Sequence, residues 1–453
     1  MADTFVVIGG DAAGMSAASK AKRENPEMDV VVFEKGEWVS YGACGLPYYV
    51  KGEIEDIEDI IAVPKERFIE ERDIDLRTNH EVTAIDTDAE TVTVETPEET
   101  VEQSYDSLLI ATGASAIVPP FDGVELEDVY TIHDPPSGEA IRAALERDEQ
   151  DRPETVGIVG GGYIGIEMAE AFRGQGLDVH VFEMLDHVLN PFGEMVAENV
   201  EDELRDNDVS LHLGTAVEGF EGEGSVEAVR TEDETVPVDM VVVGVGVQAN
   251  AALAEEAGID VGETGAIAVD EYGETSVENV YAAGDCAEAE HVVTGEPDHV
   301  PLALTANRAG RAVGQTVTGD PTPTGPIAGT AVVKAFDLEA GRTGIVDEEV
   351  AREAGYDPVS VAITSASRAH YYPGGSAIEI EMLADADSKR VLGAAMVGEE
   401  GVTKRIDTVT TAIYGEMDTQ QVEYLDLSYA PPFGPTWDPV LTAAKVLNSK
   451  LDG

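Results

Sequence analysis

The N-terminal segment of the chain combines two apolar runs with a glycine-rich turn. Residues 5–8 and 30–33 are short and apolar, and each run predicts a buried β-strand. Between them, residues 9–14 (the first turn) are Gly-Gly-Asp-Ala-Ala-Gly, and the small residues that follow predict a helix. The second run ends in Glu34. This segment therefore predicts a strand, a tight turn, a helix and a second strand that ends in an acid.

The same pattern returns near the middle of the chain. Residues 155–159 predict a strand, residues 160–165 (the second turn) are Gly-Gly-Gly-Tyr-Ile-Gly, and residues 179–182 predict a strand that is followed by Glu183. Such a turn brings a helix N-terminus to a pyrophosphate, and the acid accepts hydrogen bonds from a ribose hydroxyl. Two copies predict two dinucleotide sites, a flavin and a nicotinamide held face to face, with ordinary βαβ crossovers as the alternative. Asp11 departs from the pattern, because it occupies the second glycine position of the first turn.

Acidic residues dominate the charge of the chain. Its 453 residues include 91 Asp and Glu against 27 Lys and Arg, which gives a formal net charge of −64. This imbalance argues against a nucleic acid partner, since phosphate binding needs clustered positive charge, and against an anionic membrane surface. Molar salt would screen the repulsion between the acids, so we expect a protein from the cytoplasm of a salt-accumulating organism.

The rest of the composition is consistent with a cytoplasmic location. The N-terminus enters the first strand without a signal-peptide pattern, and no apolar run is long enough to span a membrane. Only two cysteines occur, Cys44 and Cys286, so no disulfide framework is expected and a reducing compartment is the simplest interpretation. The histidines show no metal-ligand spacing, and we therefore expect no metal site.

Together these motifs resemble the pyridine nucleotide–disulfide oxidoreductases, a family of flavoproteins, over essentially the whole chain. The resemblance implies an α/β fold with two Rossmann-like dinucleotide-binding domains, a C-terminal α+β dimerisation domain, and assembly as a homodimer. It implies FAD binding by residues 1–115 and 243–325 and NAD(P)H binding by residues 116–242. Residues 326–453 would form the interface domain.

The cofactor contacts expected from the two turns and from this resemblance involve glycines, the two ribose acids and positions that follow later strands. They are Gly9, Gly10, Asp11, Ala12, Ala13, Gly14, Glu34, Lys35, Val82, Ala111, Thr112, Gly113, Gly160, Gly162, Tyr163, Ile164, Gly165, Glu183, Gly246, Gly284, Asp285, Ala303 and Thr305. Residues 184–187 offer no Arg or Lys to a 2′-phosphate, so we expect NADH to be preferred, with NADPH possible.

Cys44 is the candidate redox residue. It follows the first ribose-acid strand and is flanked by small residues, and a thiolate there would be a strong nucleophile, whereas the alternative is a small buried apolar side chain. Position 49 is Tyr, and no second cysteine lies nearby. This excludes the dithiol subgroup and leaves the single-cysteine branch, which contains coenzyme A disulfide reductases, NADH oxidases and NADH peroxidases. The oxidases and peroxidases usually carry a His at the position of Ala12, so their acid–base partner is missing.

The segment around Cys44 looks most like that of the coenzyme A disulfide reductases, although Ala43 stands where some members have Asn. By this likeness Cys44 would form a mixed disulfide with coenzyme A, and Tyr429, Tyr371 or Tyr372 would reach it across the dimer. Interface packing is the alternative role for each tyrosine. The residues expected to bind coenzyme A are Lys20, Arg23, Ser40, Phe68, Arg72, Asn307 and Trp437. A solvated, charged helix face is the alternative for the basic cluster.

Three other functions remain open at this point. Reduction of polysulfide or persulfide would use the same cysteine, and members with that role often carry a rhodanese-like domain for which this chain has no room. An NADH oxidase is a further alternative. A flavin electron-transfer reductase for a ferredoxin would not need Cys44 at all.

Overall fold

The computed structural model describes residues 3–452. Its helices are α1 (Ala12–Glu24), α2 (Leu46–Lys51), α3 (Pro135–Leu145), α4 (Tyr163–Gly174), α5 (Glu194–Asp206), α6 (Ala252–Glu256), α7 (Ala303–Thr316), α8 (Glu348–Glu353), α9 (Val402–Tyr414), α10 (Thr419–Glu423) and α11 (Pro439–Leu451). Short 3₁₀ or π turns cover Ala43–Gly45, Ile57–Ile60, Arg67–Glu71 and Asn190–Phe192.

The strands of the N-terminal two-thirds are β1 (Thr4–Ile8), β2 (Asp29–Glu34), β3 (Asp75–Thr78), β4 (Glu81–Asp86), β5 (Thr91–Glu95), β6 (Thr100–Ser104), β7 (Ser107–Ile110), β8 (Ala114–Ala116), β9 (Val129–Thr131), β10 (Thr155–Val159), β11 (Asp178–Phe182), β12 (Val209–His212), β13 (Val217–Glu221), β14 (Ala228–Thr231), β15 (Thr235–Pro237), β16 (Met240–Val243), β17 (Val247–Ala249), β18 (Val280–Ala282), β19 (Ala289–Glu290) and β20 (Pro297–Asp298). Five strands follow: β21 (Ala331–Ala335), β22 (Leu338–Gly344), β23 (Pro358–Ala366), β24 (Ala377–Asp385) and β25 (Val391–Gly398).

The first parallel sheet holds the first turn. Its strand order is β18-β7-β1-β2-β3, and β1 pairs in parallel with both β2 and β7. Helices α1 and α7 cross closely beside it: a Cβ on Gly310 would lie 2.1 Å from the carbonyl oxygen of Ala13. The small residues of the two helices are therefore needed for this close packing, which fixes α1 and its N-terminus against the sheet.

The second parallel sheet repeats this arrangement around the second turn. Its order is β12-β11-β10-β16-β9, all in parallel, and β10 is paired on both sides. The apolar residues of the central strands β10 and β16 are buried on both faces, as expected of a parallel sheet covered by other elements. Antiparallel sheets β4-β5-β6 and β13-β14-β15 accompany the two parallel sheets.

The C-terminal region is different, because its five-stranded sheet is antiparallel in the order β21-β22-β25-β24-β23. Helices α9 and α11 pack on it, with Val409 and Leu447 fully buried. The predicted fold class, two Rossmann-like units and a C-terminal α+β domain, is confirmed. The exact limits at 115/116, 242/243 and 325/326 stay predictions.

Candidate functional site

The first turn is held by its own ribose acid. The backbone N–H of Gly10 donates to Glu34 Oε2 at 2.8 Å, and that of Gly36 donates to Glu34 Oε1 at 2.7 Å. A Cβ on Gly14 would lie 2.0 Å from the carbonyl oxygen of Gly9, so only glycine allows α1 to start this close to β1.

The second turn has the same geometry. Gly161 N–H donates to Glu183 Oε2 at 2.7 Å, and Leu185 N–H donates to Glu183 Oε1 at 2.9 Å. A Cβ on Gly165 would lie 1.9 Å from the oxygen of Gly160, whereas a Cβ on Gly162 would meet nothing within 4 Å. The turn is thus tight towards its own sheet and open at the helix N-terminus, which is where a pyrophosphate must approach.

Other predicted cofactor residues lie where strands of the first sheet end. Ala111, Thr112 and Gly113 follow β7, and the side chain of Thr112 donates to the carbonyl oxygen of Asn250 at 2.7 Å. Gly284 and Asp285 follow β18. The pKa of Asp285 is raised by burial. These residues line the edge formed by the carboxyl ends of the strands, where ligands of open α/β sheets bind.

The remaining predicted cofactor residues have varied positions. Tyr163 and Ile164 open α4, and Ala303 and Thr305 are in the first turn of α7. Ala12 and Ala13 open α1, Lys35 follows β2, Val82 lies in β4, and Gly246 has a positive φ of 117° between β16 and β17.

Asp11 ties the loop before Cys44 to the first turn. Its Oδ1 accepts the backbone N–H of Tyr41 at 3.1 Å, and the N–H of Ser40 donates to the carbonyl oxygen of Gly10 at 3.1 Å. Burial raises the pKa of Asp11 to about 6, opposed by the bond from Tyr41. The residue that breaks the glycine pattern therefore fastens residues 39–45 (the Cys44 loop) to the turn.

Cys44 lies in the 3₁₀ turn Ala43–Gly45, directly before α2. The residue is exposed in the single chain, yet enough protein surrounds its thiol that burial raises the pKa, and the carboxylate of Glu167 raises it further. Cys286 is fully buried, and its thiol lies 3.4 Å from the carbonyl oxygen of Ile110. Cys44 is thus the one accessible thiol among residues 3–452.

Tyr48, on the helix that follows Cys44, forms a hydrogen-bonded pair with Glu167 that the sequence analysis missed. Tyr48 Oη donates to Glu167 Oε1 at 3.2 Å, which joins α2 to α4. Burial raises the pKa of Glu167 to about 7, while the bond from Tyr48 opposes that rise. Burial and the neighbouring carboxylate raise the pKa of Tyr48 to about 12. The glycine pattern covers only the turn, so nothing in it pointed to the fifth residue of α4.

Two predicted substrate residues, Arg23 and Arg72, line a surface cavity of about 460 Å³. Arg72 donates to Ser19 Oγ at 2.7 Å, and its guanidinium lies 4.7 Å from the ring centre of Phe68, which is 1% exposed. Burial lowers the pKa of Arg72, and the charges of Arg67 and Arg23 lower it further. No carboxylate within the described chain lies within ion-pairing distance of either cavity arginine.

Lys20, by contrast, is not one of the residues that line this cavity. It is 6% exposed, and its amine is paired with Glu24. Asn307 lies on α7 and accepts a hydrogen bond from Ser16 Oγ at 2.7 Å, so Ser16 joins the polar face of α1 that the sequence analysis assigned to substrate. Ser40 has a positive φ of 52°, which turns the Cys44 loop.

The candidate tyrosines meet one another in the C-terminal domain. The hydroxyls of Tyr371 and Tyr429 are hydrogen-bonded at 2.5 Å, and both side chains are exposed. Tyr372 is exposed nearby, and Trp437 is half exposed beneath the amine of Lys445, 4.9 Å from its ring centre. Each of these four aromatic side chains is exposed in the single chain.

Among residues 3–452, no group of three or more His, Cys, Asp or Glu side chains could hold a metal ion. No helix in the same range is both long and apolar enough to cross a membrane.

Comparison with known proteins shows the family. The pyridine nucleotide-disulphide oxidoreductase family matches residues 3–310, and its dimerisation domain matches residues 330–439. The chain is 43% identical, over 98% of both chains, to an NAD(P)H sulfur oxidoreductase (CoA-dependent) of Pyrococcus abyssi. It is 30% identical to a coenzyme A disulfide reductase of Staphylococcus aureus, over 95% of this chain and 96% of that one.

A solved structure has the same fold as this chain. An NAD-dependent persulfide reductase from A. fulgidus superimposes with a TM-score of 0.96 and 39% identity, covering 99% of this chain and 84% of that chain. The expected enzyme class, an FAD-dependent oxidoreductase that uses a pyridine nucleotide, is confirmed. With a match over most of its length and with both dinucleotide turns in place, the chain belongs to the pyridine nucleotide-disulphide oxidoreductase family.

Proposed function

We propose that this enzyme uses NAD(P)H to reduce coenzyme A disulfide to two coenzyme A thiols, with Cys44 carrying one coenzyme A as a mixed disulfide. The observation that carries the proposal is the surface cavity lined by Arg23 and Arg72. Arg23 lies on α1, the helix that begins at the first turn. Coenzyme A has a phosphorylated ADP end, and arginine binds phosphate oxygens in a bidentate manner.

The charge of the whole chain strengthens this argument. A protein of net charge −64 repels anions unless it concentrates positive charge locally. The pKa of Arg72 is lowered mainly by burial, and the positive charges of Arg67 and Arg23 lower it further, so Arg72 lies in a locally positive environment. An anionic ligand in the cavity would offset these positive charges, which supports a phosphate subsite rather than an ordinary solvated face.

The chain's own residues have distinct parts in the reaction. The first turn and Glu34 would hold FAD, and the second turn, which is open at Gly162, would hold NAD(P)H together with Glu183. Bound FAD supplies the route by which two electrons from NAD(P)H reach the sulfur of Cys44.

Cys44 performs the sulfur chemistry. Its thiolate attacks one sulfur of the coenzyme A disulfide, one coenzyme A leaves, and the second stays bound to Cys44. Two electrons then break this mixed disulfide, which releases the second coenzyme A and restores the thiolate. One NAD(P)H and one proton are consumed for two coenzyme A thiols, and the mixed disulfide replaces the second cysteine that the chain lacks.

The exposed aromatic side chains of the C-terminal domain support a homodimer. We infer that they pack on a second copy and bring the hydrogen-bonded pair of Tyr371 and Tyr429 to the partner's active site. A phenol there would donate a proton to a departing thiolate.

Reduction of a polysulfide or persulfide is the second candidate. It is favoured by the 43% identity to the coenzyme A-dependent sulfur oxidoreductase and by the similarity to the persulfide reductase structure. Both candidates use Cys44 as the nucleophile, so they differ in the leaving group and not in the protein residues that act.

An anaerobic assay of NADH and NADPH consumption separates the candidates. Coenzyme A disulfide, polysulfide, hydrogen peroxide and then oxygen are compared at high salt, with and without free coenzyme A. Fastest turnover with coenzyme A disulfide supports the proposal. A higher kcat/KM for polysulfide selects the second candidate, and a higher value for oxygen or peroxide rejects both.

The subsite is tested with Arg23→Gln combined with Arg72→Gln. We expect the KM for coenzyme A disulfide to rise by about tenfold or more, since each hydrogen bond to a charged group contributes about 1.5–3 kcal/mol. The KM for a small neutral disulfide should not change. Arg352→Gln is the matched control, because Arg352 is exposed, is paired with Glu348 and does not line the cavity. Equal effects on both substrates would contradict the subsite.

A further inference from the structure

The short helix α2, which follows Cys44, is anchored at its far end by side chains from distant segments. A helix leaves its last four carbonyl groups without partners inside the helix. Backbone N–H groups of residues 52–54 donate to the carbonyl oxygens of residues 48–49. The carbonyl oxygens of Val50 and Lys51 depend on a side chain from elsewhere in the chain.

Gln175, at the end of α4, supplies that side chain. Its Nε2 donates to the carbonyl oxygen of Lys51 at 2.7 Å and to that of Val50 at 3.3 Å. Arg142, on α3, donates from Nη1 to the carbonyl oxygen of Tyr49 at 2.9 Å. One amide and one guanidinium therefore hold three carbonyls in the last turn of α2, and both belong to the segment expected to bind NAD(P)H.

The contacts around the end of α2 are close. Gly52 has a positive φ of 89°, and a Cβ there would lie 3.1 Å from Arg142 Nη1 and 3.3 Å from Gln175 Nε2. The amine of Lys51 donates to Glu170 Oε1 at 2.8 Å, and Glu170, on α4, is buried. Side chains of α3 and α4 thus fix the backbone of α2 at several points.

Cys44 lies at the opposite end of this helix. The 3₁₀ turn Ala43–Gly45 leads directly into α2, which at 1.5 Å per residue is only about 9 Å long. Leu46 and Val50 are buried, and a Cβ on Gly138 of α3 would lie 2.8 Å from Leu46 Cδ2. A tilt of α2 would therefore move Cys44 with it.

We propose that Gln175 and Arg142 are positioning residues that set the place of Cys44 by holding the end of α2. They act through the helix and not on the sulfur itself. Asp11 fastens the chain before Cys44 through the N–H of Tyr41, so the reacting residue is held from both sides. The inference deepens the proposed function and rests on Cys44 being its reacting sulfur.

The kinetic consequence is selective. Attack by Cys44 on a disulfide, and the later reduction of the mixed disulfide, both need the sulfur at a fixed place, and a displacement of about 1 Å can lower a rate by about 100-fold. Ferricyanide accepts single electrons from a reduced flavoprotein and needs no thiol. Loosening α2 should therefore slow disulfide reduction and spare ferricyanide reduction.

The test compares these two activities in the FAD-loaded enzyme and its Gln175→Met variant. Methionine keeps the length of the side chain but has no N–H donor. We expect kcat for coenzyme A disulfide to fall about tenfold, while kcat for ferricyanide and the KM for NADH stay within about twofold. Cys44→Ser supplies the reference for ferricyanide reduction without the thiol.

Arg173→Met is the matched control. Arg173 also lies near the end of α4, but it donates to the carbonyl oxygens of Leu177 and Asn207, at 2.8 and 3.0 Å, and not to α2. It should leave both activities unchanged. An equal loss of both activities in Gln175→Met, no loss in that variant, or the same selective loss in Arg173→Met overturns the inference.

Amide hydrogen exchange supplies a readout that needs no substrate. Exchange in residues 46–54 should become about fivefold faster in Gln175→Met and stay unchanged in Arg173→Met. Unchanged exchange in Gln175→Met overturns the inference. If coenzyme A disulfide proves not to be a substrate, while exchange is faster and polysulfide reduction is lost selectively, the proposed substrate fails and the positioning role stands.

Arg142→Met gives a second, independent reading if Gln175→Met does not fold. The carbonyl oxygen of Tyr49 also accepts the N–H of Gly52 at 3.0 Å, so losing the guanidinium should matter less. We expect a selective fall in disulfide turnover of about threefold, again with ferricyanide reduction retained. Equal activities in Arg142→Met and the wild type overturn the inference.

Discussion

The first and second turns share their backbone geometry, and among the three positions at which their sequences differ, one breaks the glycine pattern: Asp11 in the first turn corresponds to Gly162 in the second. In both turns a carboxylate at the end of the next strand accepts two backbone N–H groups. At Gly162 nothing lies within 4 Å of the position of a Cβ, whereas the side chain of Asp11 accepts the N–H of Tyr41. The position of Gly162 in the second turn therefore leaves room for a ligand, whereas Asp11 in the first turn also positions the loop that carries Cys44.

This difference has an electrostatic cost. Asp11 lies close to Glu34 and Asp285, and burial together with these charges raises its pKa to about 6. A glycine there would avoid that cost but would leave the N–H of Tyr41 without its acceptor. The comparison teaches that an exception within a fingerprint can mark the point where two functions meet.

The largest expected effect comes from adding a Cβ to the crowded glycine at the end of each turn, one turn at a time. Gly14→Ala places a Cβ 2.0 Å from the oxygen of Gly9 and should abolish FAD retention. Gly165→Ala places a Cβ 1.9 Å from the oxygen of Gly160 and should leave FAD bound but raise the KM for NADH by about 100-fold. FAD absorbance and steady-state kinetics measure the two effects. Loss of FAD in Gly165→Ala alone would contradict the assignment of the turns.

Exchanging the differing residues should have a smaller effect. Asp11→Gly frees Tyr41 N–H and loosens the Cys44 loop, so we expect kcat for disulfide reduction to fall about tenfold with FAD retained. Gly162→Asp places a carboxylate beside the pyrophosphate and should raise the KM for NADH about tenfold, leaving Cys44 alkylation unchanged. Asp11→Asn is the control, since its side-chain oxygen still accepts from Tyr41. Full activity in Asp11→Gly would show that the loop does not depend on this bond.

Cofactor preference tests the acid of the second turn. Glu183 should disfavour a 2′-phosphate, so kcat/KM should be higher for NADH than for NADPH. Glu183→Gln removes the charge, and we expect the ratio to fall about fivefold or more. The equivalent change in the first turn, Glu34→Gln, should leave that ratio as it is. A wild-type enzyme that prefers NADPH would refute the assignment.

The smallest effect concerns stability. The pKa of Asp11 in the folded chain, about 6, lies above its ordinary value of 3.8, so the ionised form destabilises the fold. The fold favours the protonated carboxyl of Asp11. The stability that this protonated form contributes is complete below about pH 4 and is lost as the pH rises through about 6. Asp11→Asn should be more stable than the wild type by about 1–2 kcal/mol near pH 7.5 and nearly equal to it near pH 3.5. Urea unfolding at fixed high salt measures this difference, and a gap that does not depend on pH would contradict it.

Much of the architecture could be predicted from local patterns. The apolar runs before and after each turn became β1, β2, β10 and β11, because a strand buried on both faces has a continuous apolar sequence. The isolated position of Cys44 and the clustered Arg23 also pointed to the site. In these places a short stretch of chain carries the whole signal.

Contacts between distant segments could not be predicted in this way. Glu167 is more than 100 residues from Tyr48, and only the packing of α4 on α2 brings the two side chains together. The acceptor role of Asp11 depends on the path of the loop through Tyr41. Lys20 shares a helix with Arg23, yet its pairing with Glu24 withdraws it from the cavity. Each of these facts depends on tertiary structure or on a competing partner.

The central claim is that Cys44 is the sulfur that carries coenzyme A, and a mass measurement tests it most directly. The oxidised, FAD-loaded enzyme is incubated with coenzyme A disulfide without NADH, digested, and analysed for adducts on both cysteine peptides. The account predicts one coenzyme A per chain on Cys44, none on the buried Cys286, and complete release after addition of NADH. An enzyme that turns over coenzyme A disulfide with no adduct on Cys44, or with an adduct that NADH does not release, would contradict it.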